Sequence, residues 1–517
     1  MALATFVVML GLLFSKCSGF LRDIFVSMKF SDVYRDSFTL AFTIPDLFYN
    51  LLVGGAIYST VAPYMAGCLA NNEEKKGVRT VSIFVSVVSV TMIVFCVLGV
   101  VFSEPLYEIY NLNGETNPET VHLAAMASKL LFPQIFFIMF AALCIGILNA
   151  YKRFTSTAFA PTVYNICTLI AIIVFAGDSQ QKLMMTTGGI LVAAIIYFLF
   201  QYFVGFDKLK QFRFIFAPSD PEFLVLVRRA IPILISSSVV QINVVILNAF
   251  AGQFDDGSIY ALRNASTIWQ IPYGIFTVAI CQVMLPSLAG AYSTKDYKKS
   301  SEILSARLRS ALFMVIPSAV FIAIMNVDVV KAIYQWSKSY TDTNAERAST
   351  FLIGYCIAIV TQSVVHVMNY AFYAKGQNRF PLYVGLVGLV SNPVICELLI
   401  KAGVGPLSLT IAYSSTSIIQ MCLLCIKYCR NKDLAPKHIL PFLIKAAVCS
   451  IVMSAIVLTL DYFIPGEGSK IRQLCIIAGK GIVAVIIYFG FAAVFRMEEA
   501  TFWINRFKSK IAKKGQS

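Results

Sequence analysis

The sequence predicts an all-α, polytopic membrane protein of about fourteen transmembrane helices, built as two parallel six-helix lobes plus two extra C-terminal helices, with both termini cytoplasmic. Three observations carry this. Of 517 residues, 58% are hydrophobic and 13% charged, and the mean hydropathy is +0.76, more apolar surface than a water-soluble chain of this size can cover. Apolar runs of about 20 residues, the length that crosses a bilayer, recur between polar, Gly and Pro punctuation. Segments 223 positions apart, such as those at Gly67 and Gly290, match one another in order.

The candidate spans run approximately over 3–28, 36–66, 79–103, 121–150, 156–176, 184–205, 222–252, 258–291, 303–327, 348–374, 380–400, 404–427, 439–463 and 472–496. The first opens directly in "MALATFVVMLGLLF" with no basic segment ahead of it, and its apolar run passes any small-residue cleavage site. It therefore reads as a span and not as a cleaved signal. The second contains Pro45 and the pair Gly54 and Gly55; the eighth contains Pro272 and Gly274. Breakers of this kind suit helices that bend as gates, although membrane helices also carry them without that role.

If the first span runs from cytoplasm to exterior, the cytoplasmic connections hold Lys75, Lys76, Arg79, Lys152, Arg153, Lys208, Lys210 and Arg213, and further cations down to the tail "RFKSKIAKKGQS". The opposite loops, such as "SEPLYEIYNLNGETNPET" and "GQFDDGS", are acidic or nearly neutral. The bias is roughly three to one, which places both termini in the cytoplasm and requires an even number of spans. The formal charge of +15 is then a matter of topology, which argues against nucleic acid as a partner. Membrane lipid is the expected contact of the basic tail.

Thirteen cysteines are scattered through apolar runs and offer no disulfide framework. Cys422, Cys425 and Cys429 share a helical stripe without the second ligand pair that zinc requires, so packing is the plainer reading. The histidines, His122, His366 and His438, have no partner motif, and neither a P-loop nor H-E-x-x-H occurs. The chain is therefore read as a transporter and not an enzyme, driven by gradients or membrane potential unless a separate subunit hydrolyses ATP.

The repeat sets the organisation. "MAGCLANNEEKK" (65–76) and "LAGAYSTKDYKK" (288–299) share an Ala-Gly step and a terminal Lys-Lys. Thr43-Ile44 corresponds to Thr267-Ile268, Pro63 to Pro286, and "AYKRF" (150–154) to "AKGQNRF" (374–380). Because the offset covers an even number of spans, both halves have the same orientation, the parallel plan of transporters whose substrate site lies between the halves. The expected divisions are an N-terminal lobe (1–215), a C-terminal lobe (216–430), two additional helices (431–498) and a basic cytoplasmic tail (499–517).

Ionisable residues in or near the spans are the candidate site, since a charge at bilayer depth costs about 2.5–3.5 kcal/mol even on lenient scales and usually faces a wet cavity. They are Lys16, Arg22, Asp23, Asp36, Asp46, Lys129 and Arg263. If the first helix ends near residue 21, Arg22 and Asp23 instead snorkel at the interface.

"SKCSGFLRD", "RDSFTLAFTIPDLFYNLLVGGAIYSTVAPYMA", "GILNAYKRFTSTAFAPTVYNI" and "VMLPSLAGAY" resemble, in order and spacing, the MurJ/MviN family of lipid II flippases within the multidrug/oligosaccharidyl-lipid/polysaccharide exporter superfamily. The similarity covers the first twelve spans. It implies two lobes around a cationic cavity that opens alternately to each side, with the last two helices forming a groove for a polyprenyl tail. By position, Lys16 matches a family arginine, Arg22 and Asp23 match an Arg-Asp pair, and Asp36 matches an aspartate at the start of the second span. These residues would bind the headgroup. The chain departs from the family at Tyr49 and Asn50, where an arginine is usual, at Gly54, which replaces a glutamate, and at Thr267, which aligns with an arginine. Arg263 lies one turn earlier, about 5.4 Å along the helix, and is the candidate replacement. Asn248, Asn392 and Glu397 fall where relatives place sodium ligands, so the expected cofactor is none or a sodium ion, although amides in spans often simply bond across helices.

The resemblance implies export of lipid II, the undecaprenyl-diphosphate-linked peptidoglycan precursor, across the bacterial cytoplasmic membrane. A lipid-linked diphosphate needs a hydrated cavity with Lys or Arg to pass a low-dielectric barrier. Other readings stay open: a flippase for another polyprenyl-linked oligosaccharide, a drug or organic-cation antiporter, which would favour acidic cavity residues, or a non-transporting scaffold that recruits cell-wall synthesis proteins.

Overall fold

The computed structural model describes residues 2–53, 60–111, 116–430, 439–466 and 468–501; Gly54, Gly55 and most of the basic tail lie outside them. Among the described residues the regular structure is helical throughout. The first half of the chain forms α1 (Ala2–Lys29), α2 (Asp32–Leu52), α3 (Ala62–Ala70), α4 (Glu74–Val101), α5 (Ser103–Tyr107), α6 (Pro118–Ala150), α7 (Phe154–Phe175), α8 (Gln180–Val204) and α9 (Phe206–Leu209). The second half forms α10 (Pro221–Ala251), α11 (Ser258–Pro272), α12 (Ala279–Ser293), α13 (Tyr297–Ile324), α14 (Asn326–Tyr334), α15 (Asp342–Ala374), α16 (Arg379–Lys401) and α17 (Leu407–Cys429). Two more, α18 (Ile439–Phe463) and α19 (Lys470–Val494), follow. Eleven helices among the described residues are long and apolar enough to cross a membrane, and α1, α2 and α10 lie where the first, second and seventh spans are expected.

The repeat is written into the backbone. Helices α6 and α15 are each 33 residues long and begin and end at positions 224 apart. Both are buried over much of their length. After α3, Asn72 takes a left-handed φ of 60°, and after α12, Lys295 takes 56°. The capping bonds match donor for donor: Asn72 N to Leu69 O and Glu73 N to Cys68 O, against Lys295 N to Tyr292 O and Asp296 N to Ala291 O. The turn after α6 repeats after α15, where Arg153 N donates to Leu148 O and Gln377 N to Phe372 O. Both are left-handed helix stops.

Two expected spans depart from a single regular α-helix. The second was expected over 36–66 with Pro45, Gly54 and Gly55 as breakers within it; α2 stops at Leu52, and Thr60 and Val61 form a π turn ahead of α3. The eighth contains a π-helical segment, Tyr273–Val278, between α11 and α12. Pro272 has no N–H to return to the preceding turn and its ring crowds that turn, so the chain widens there. The connection after residue 327, expected as a loop, contains the short helix α14.

The chain forms two compact units. The first comprises Met1–Tyr260 with Tyr334–Thr341, and the second Ala261–Ile333 with Asp342–Ser517. Within the first, α1 lies along α7, α6 packs on α8 and α2, and α10 packs on α2 and α4. Gly11 makes the α1–α7 approach possible, because a Cβ there would sit 2.7 Å from the Ala158 carbonyl oxygen. Within the second, α15 packs on α13 and α17, and α18 packs on α13 and α19.

Pro45 leaves the Ala41 carbonyl of α2 without its helical donor. The buried Tyr107 hydroxyl of α5 supplies one, donating to Ala41 O at 2.7 Å and Leu40 O at 3.1 Å. Tyr107→Phe is expected to lower stability by about 1–3 kcal/mol, the cost of a buried unpaired acceptor. Thermal unfolding of the purified variant checks this, and an unchanged melting temperature would show that the hydroxyl is not what satisfies the proline-freed carbonyl.

Candidate functional site

Arg22 and Asp23 are on α1, and their side chains are 22% and 15% exposed. The Arg22 guanidinium donates to Asp23 Oδ1 through Nη2 at 2.9 Å and Nε at 3.1 Å, and Nη1 reaches Asn165 Oδ1 of α7 at 3.4 Å. Asn165 is itself oriented by donating Nδ2 to Ser15 O at 3.1 Å. Gly19 leaves room for this amide, which would lie 3.4 Å from a Cβ at that position. The guanidinium is thus aimed by a carboxylate and an amide while remaining reachable. Lys16 is exposed on α1 and sits seven residues before Asp23, on the same helical face and about 10 Å along the axis.

Asp36, also expected at the headgroup, is committed to a structural bond. Its carboxylate is 3% exposed and accepts from Gly257 N at 2.7 Å and Tyr260 N at 2.8 Å. These amides open α11, so Asp36 supplies the negative charge that a helix N-terminus favours. Gly257 holds φ at 90° to present its N–H. The Tyr260 hydroxyl then donates to Asp23 O at 2.8 Å, which ties this cap to the Arg22–Asp23 pair.

The sequence reading did not single out Arg35. It is 1% exposed, its Nη1 lies 2.5 Å from Asp32 Oδ1, and its Nη2 donates to Ser27 O at 3.1 Å and to Ser339 O at 2.6 Å. Its guanidinium also lies 5.3 Å from the centre of the Tyr340 ring. The available signal was the second Arg-Asp dipeptide, Arg35-Asp36, which follows Arg22-Asp23 at the start of the next helix. Asp46 is exposed on α2, and Lys129 pairs with Glu104 at 2.9 Å.

At the end of the first unit where α4 and α10 begin, Lys76 pairs with Glu222 at 2.8 Å and Arg79 with Asp220 at 2.9 Å. These bonds fasten the start of α10 to α4. In the "AYKRF" turn, Arg153 makes a two-pronged contact with Asp207 at 2.8 and 2.6 Å. The Tyr151 hydroxyl donates to Glu74 at 2.6 Å and holds that carboxyl below its ordinary range.

In the second unit, Arg263 is half-buried on α11, and its carbonyl accepts from Thr267 Oγ1 at 3.0 Å. Pro272 and Gly274 bracket the start of the π segment. The Tyr273 hydroxyl bonds His366 Nδ1 at 2.9 Å, which places His366 in a packing contact with that segment. A Cβ at Gly274 would meet nothing within 4 Å, so its missing side chain serves backbone freedom and not packing. Gly274→Ala is expected to raise stability by up to about 1 kcal/mol and to slow transport, because a stiffer π segment bends less readily. Melting temperature and transport rate measured together check this; a variant that is stabilised yet transports at the wild-type rate would remove Gly274 from gating.

Of the candidate sodium ligands, Asn248 is in the first unit, where its Nδ2 donates to Thr43 Oγ1 at 3.2 Å. Asn392 and Glu397 are on α16, with Asn392 buried and Glu397 paired with Lys401 at 2.9 Å. No group of three or more His, Cys, Asp or Glu side chains suited to a metal ion occurs among the described residues.

A family model described as lipid II flippase MurJ matches residues 26–479. A probable lipid II flippase MurJ of Rickettsia prowazekii is 24% identical over 490 residues, covering 93% of this chain and 94% of that protein. The lipid II flippase MurJ of Burkholderia cenocepacia is 24% identical over 408 residues, covering 76% of this chain and 77% of its own length. Among solved structures, lipid II flippase MurJ in an inward closed conformation aligns with a TM-score of 0.77 at 20% identity, over 95% of this chain and 98% of that one. An inward-facing multidrug resistance MATE family transporter of the MOP superfamily aligns at 0.69 and 14% identity, over 81% and 94%. The structural likenesses establish the fold.

Proposed function

Since this chain belongs to the lipid II flippase MurJ family, whose members are transporters and not enzymes, we propose that it moves lipid II from the inner to the outer leaflet of the bacterial cytoplasmic membrane by alternating access. The observation that supports the reading is the Arg22 guanidinium, oriented on α1 by Asp23 and Asn165 yet open to a ligand. An anionic diphosphate headgroup needs such a partner at depth, because a fixed guanidinium replaces lost hydration with charge-assisted bonds. An inside-negative potential assists outward movement of the anion by about 2.3 kcal/mol per charge per 100 mV. Expression in bacteria depleted of their own lipid II flippase, with lipid II exposure followed at the outer leaflet, tests the reading; an inserted protein that restores no exposure counts against it.

One observation favours a second reading, a flippase for another polyprenyl-linked oligosaccharide. Where the family resemblance leads one to expect an arginine in the second span, α2 carries Tyr49 and Asn50, and Asn50 Nδ2 donates to the Asp46 carbonyl at 2.8 Å. The headgroup site would then carry one fewer cation, and a competing lipid-linked sugar in the same assay discriminates. Two further proposals stand apart from the substrate. Coupling of export to a sodium ion predicts loss of export when sodium is replaced by potassium. Contact with cell-wall synthesis proteins predicts their cross-linking to this chain in intact cells.

A further inference from the structure

Independently of what the chain carries, we infer that the segment between α9 and α10 is a membrane anchor, in which Lys210 and Arg213 take the phosphate of an anionic phospholipid while Phe214 and Phe216 lie among the upper acyl chains. Depth along α4 is the first argument. Arg79 is the last charged residue of that helix, and the run beyond it is long and apolar enough to cross a membrane, so the headgroup layer ends near Arg79. Ser82 and Ser86 stand about 5 and about 10 Å further along the axis. The Arg213 N–H donates to Ser82 Oγ at 3.3 Å and the Ile215 N–H to Ser86 Oγ at 2.9 Å. The chain is back at the outer level by Asp220, whose carboxylate meets Arg79 at 2.9 Å. Between α9 and α10 it therefore dips along α4 to the acyl layer and returns.

Irregular backbone at that depth has to find its hydrogen bonds within the protein. The two serines, one turn apart, are separated by about 6 Å, close to the roughly 6.6 Å that two residues of extended chain rise, so alternate N–H groups each meet a hydroxyl. The Ser86 hydroxyl hydrogen goes to Ser82 O at 2.8 Å, which leaves a lone pair for Ile215. With these amides held, the segment turns large apolar side chains outward. Phe214 and Phe216 are 72% and 54% exposed, and alternation along an extended chain puts both on one face. The cations then select the headgroup. Asp207 is taken by Arg153 and Asp220 by Arg79, whereas Lys210 and Arg213 are exposed and neither is in an ion pair among the described residues. Long basic side chains reach from such a position to the headgroup layer, where a guanidinium holds phosphate through paired, charge-assisted bonds.

The test attaches bimane at Phe216→Cys in the full chain, with the exposed Cys17, Cys422, Cys429 and Cys475 changed to serine. The protein is placed in phosphatidylcholine nanodiscs that contain a minor fraction of either phosphatidylglycerol or phosphatidylcholine carrying a nitroxide high on the acyl chain. The expected result is quenching by the lipid nitroxide and not by aqueous iodide, at least threefold stronger with phosphatidylglycerol, and brought level between the two lipids by Lys210→Gln with Arg213→Gln. Quenching by iodide puts the segment in water, and quenching by neither agent means that protein covers it; both overturn the anchor. Equal quenching by the two lipids without those substitutions overturns the anionic site. The same label at Phe214→Cys gives a second reading if Phe216→Cys does not insert. None of these readouts needs transport, so the anchor and the functional reading stand or fall separately.

Discussion

Arg22→Ala is expected to reduce lipid II export at least a hundredfold without loss of folded protein. Removal of a guanidinium from a partly desolvated site forfeits a charge-assisted contact of about 3 kcal/mol, and 1.4 kcal/mol is about tenfold. It also leaves Asp23, 15% exposed, facing the diphosphate as an uncompensated like charge. Two companion variants make the argument specific. Arg22→Lys keeps the charge but lacks the planar fork that reaches Asp23 and Asn165 together, so it should retain partial export. In Arg22→Ala with Asp23→Ala the repulsion is gone, and export should exceed that of Arg22→Ala alone. Outer-leaflet lipid II, normalised to inserted protein, is the measurement. Wild-type export from Arg22→Ala would remove this pair from the headgroup path.

Most of the fold was legible because bilayer length and repeat offset are one-dimensional signals. The pairing of Gly67 with Gly290 anticipated matching left-handed turns at Asn72 and Lys295. What stayed illegible was whatever depends on a distant backbone group. Asp36 reads as a charge at the start of a span, but it accepts from Gly257 and Tyr260 amides more than 200 residues away, and no periodicity reports that. Arg35 escaped notice for the same reason, since its partner Ser339 lies across the chain. Pro272 marked a break, but not that the break would be a π segment with Tyr273 tied to His366. The "AYKRF" segment, among the strongest points of family resemblance, encodes a tightly bonded turn around Arg153 and Asp207, so similarity there reports architecture and not headgroup binding.

Asp461→Asn is expected to destabilise the second unit more than any other single change argued here, by about 3–5 kcal/mol. Lys480, ten residues into α19, is 4% exposed and pairs with Asp461 of α18 at 2.5 Å. Removal of the carboxylate leaves an ammonium that water barely reaches beside a neutral amide, and the attraction of Asp328 makes up only part of the loss. The partner variant is milder: Asp461 is 35% exposed, so in Lys480→Met it can turn toward water and recover much of its hydration. Asp328 of α14 adds to the residual cost of Lys480→Met. Burial, reinforced by Asp461, pushes its carboxyl above the ordinary range, while Lys480 and Lys331 pull it back, so without Lys480 the two carboxylates face each other less screened. Replacement of both members by apolar residues, Lys480→Met with Asp461→Leu, removes both desolvation costs and should return stability to within about 1 kcal/mol of wild type. Thermal unfolding of the three variants in one detergent orders them. If Asp461→Asn melts no lower than Lys480→Met, the ammonium reaches water, and this pair does not fasten α18 to α19.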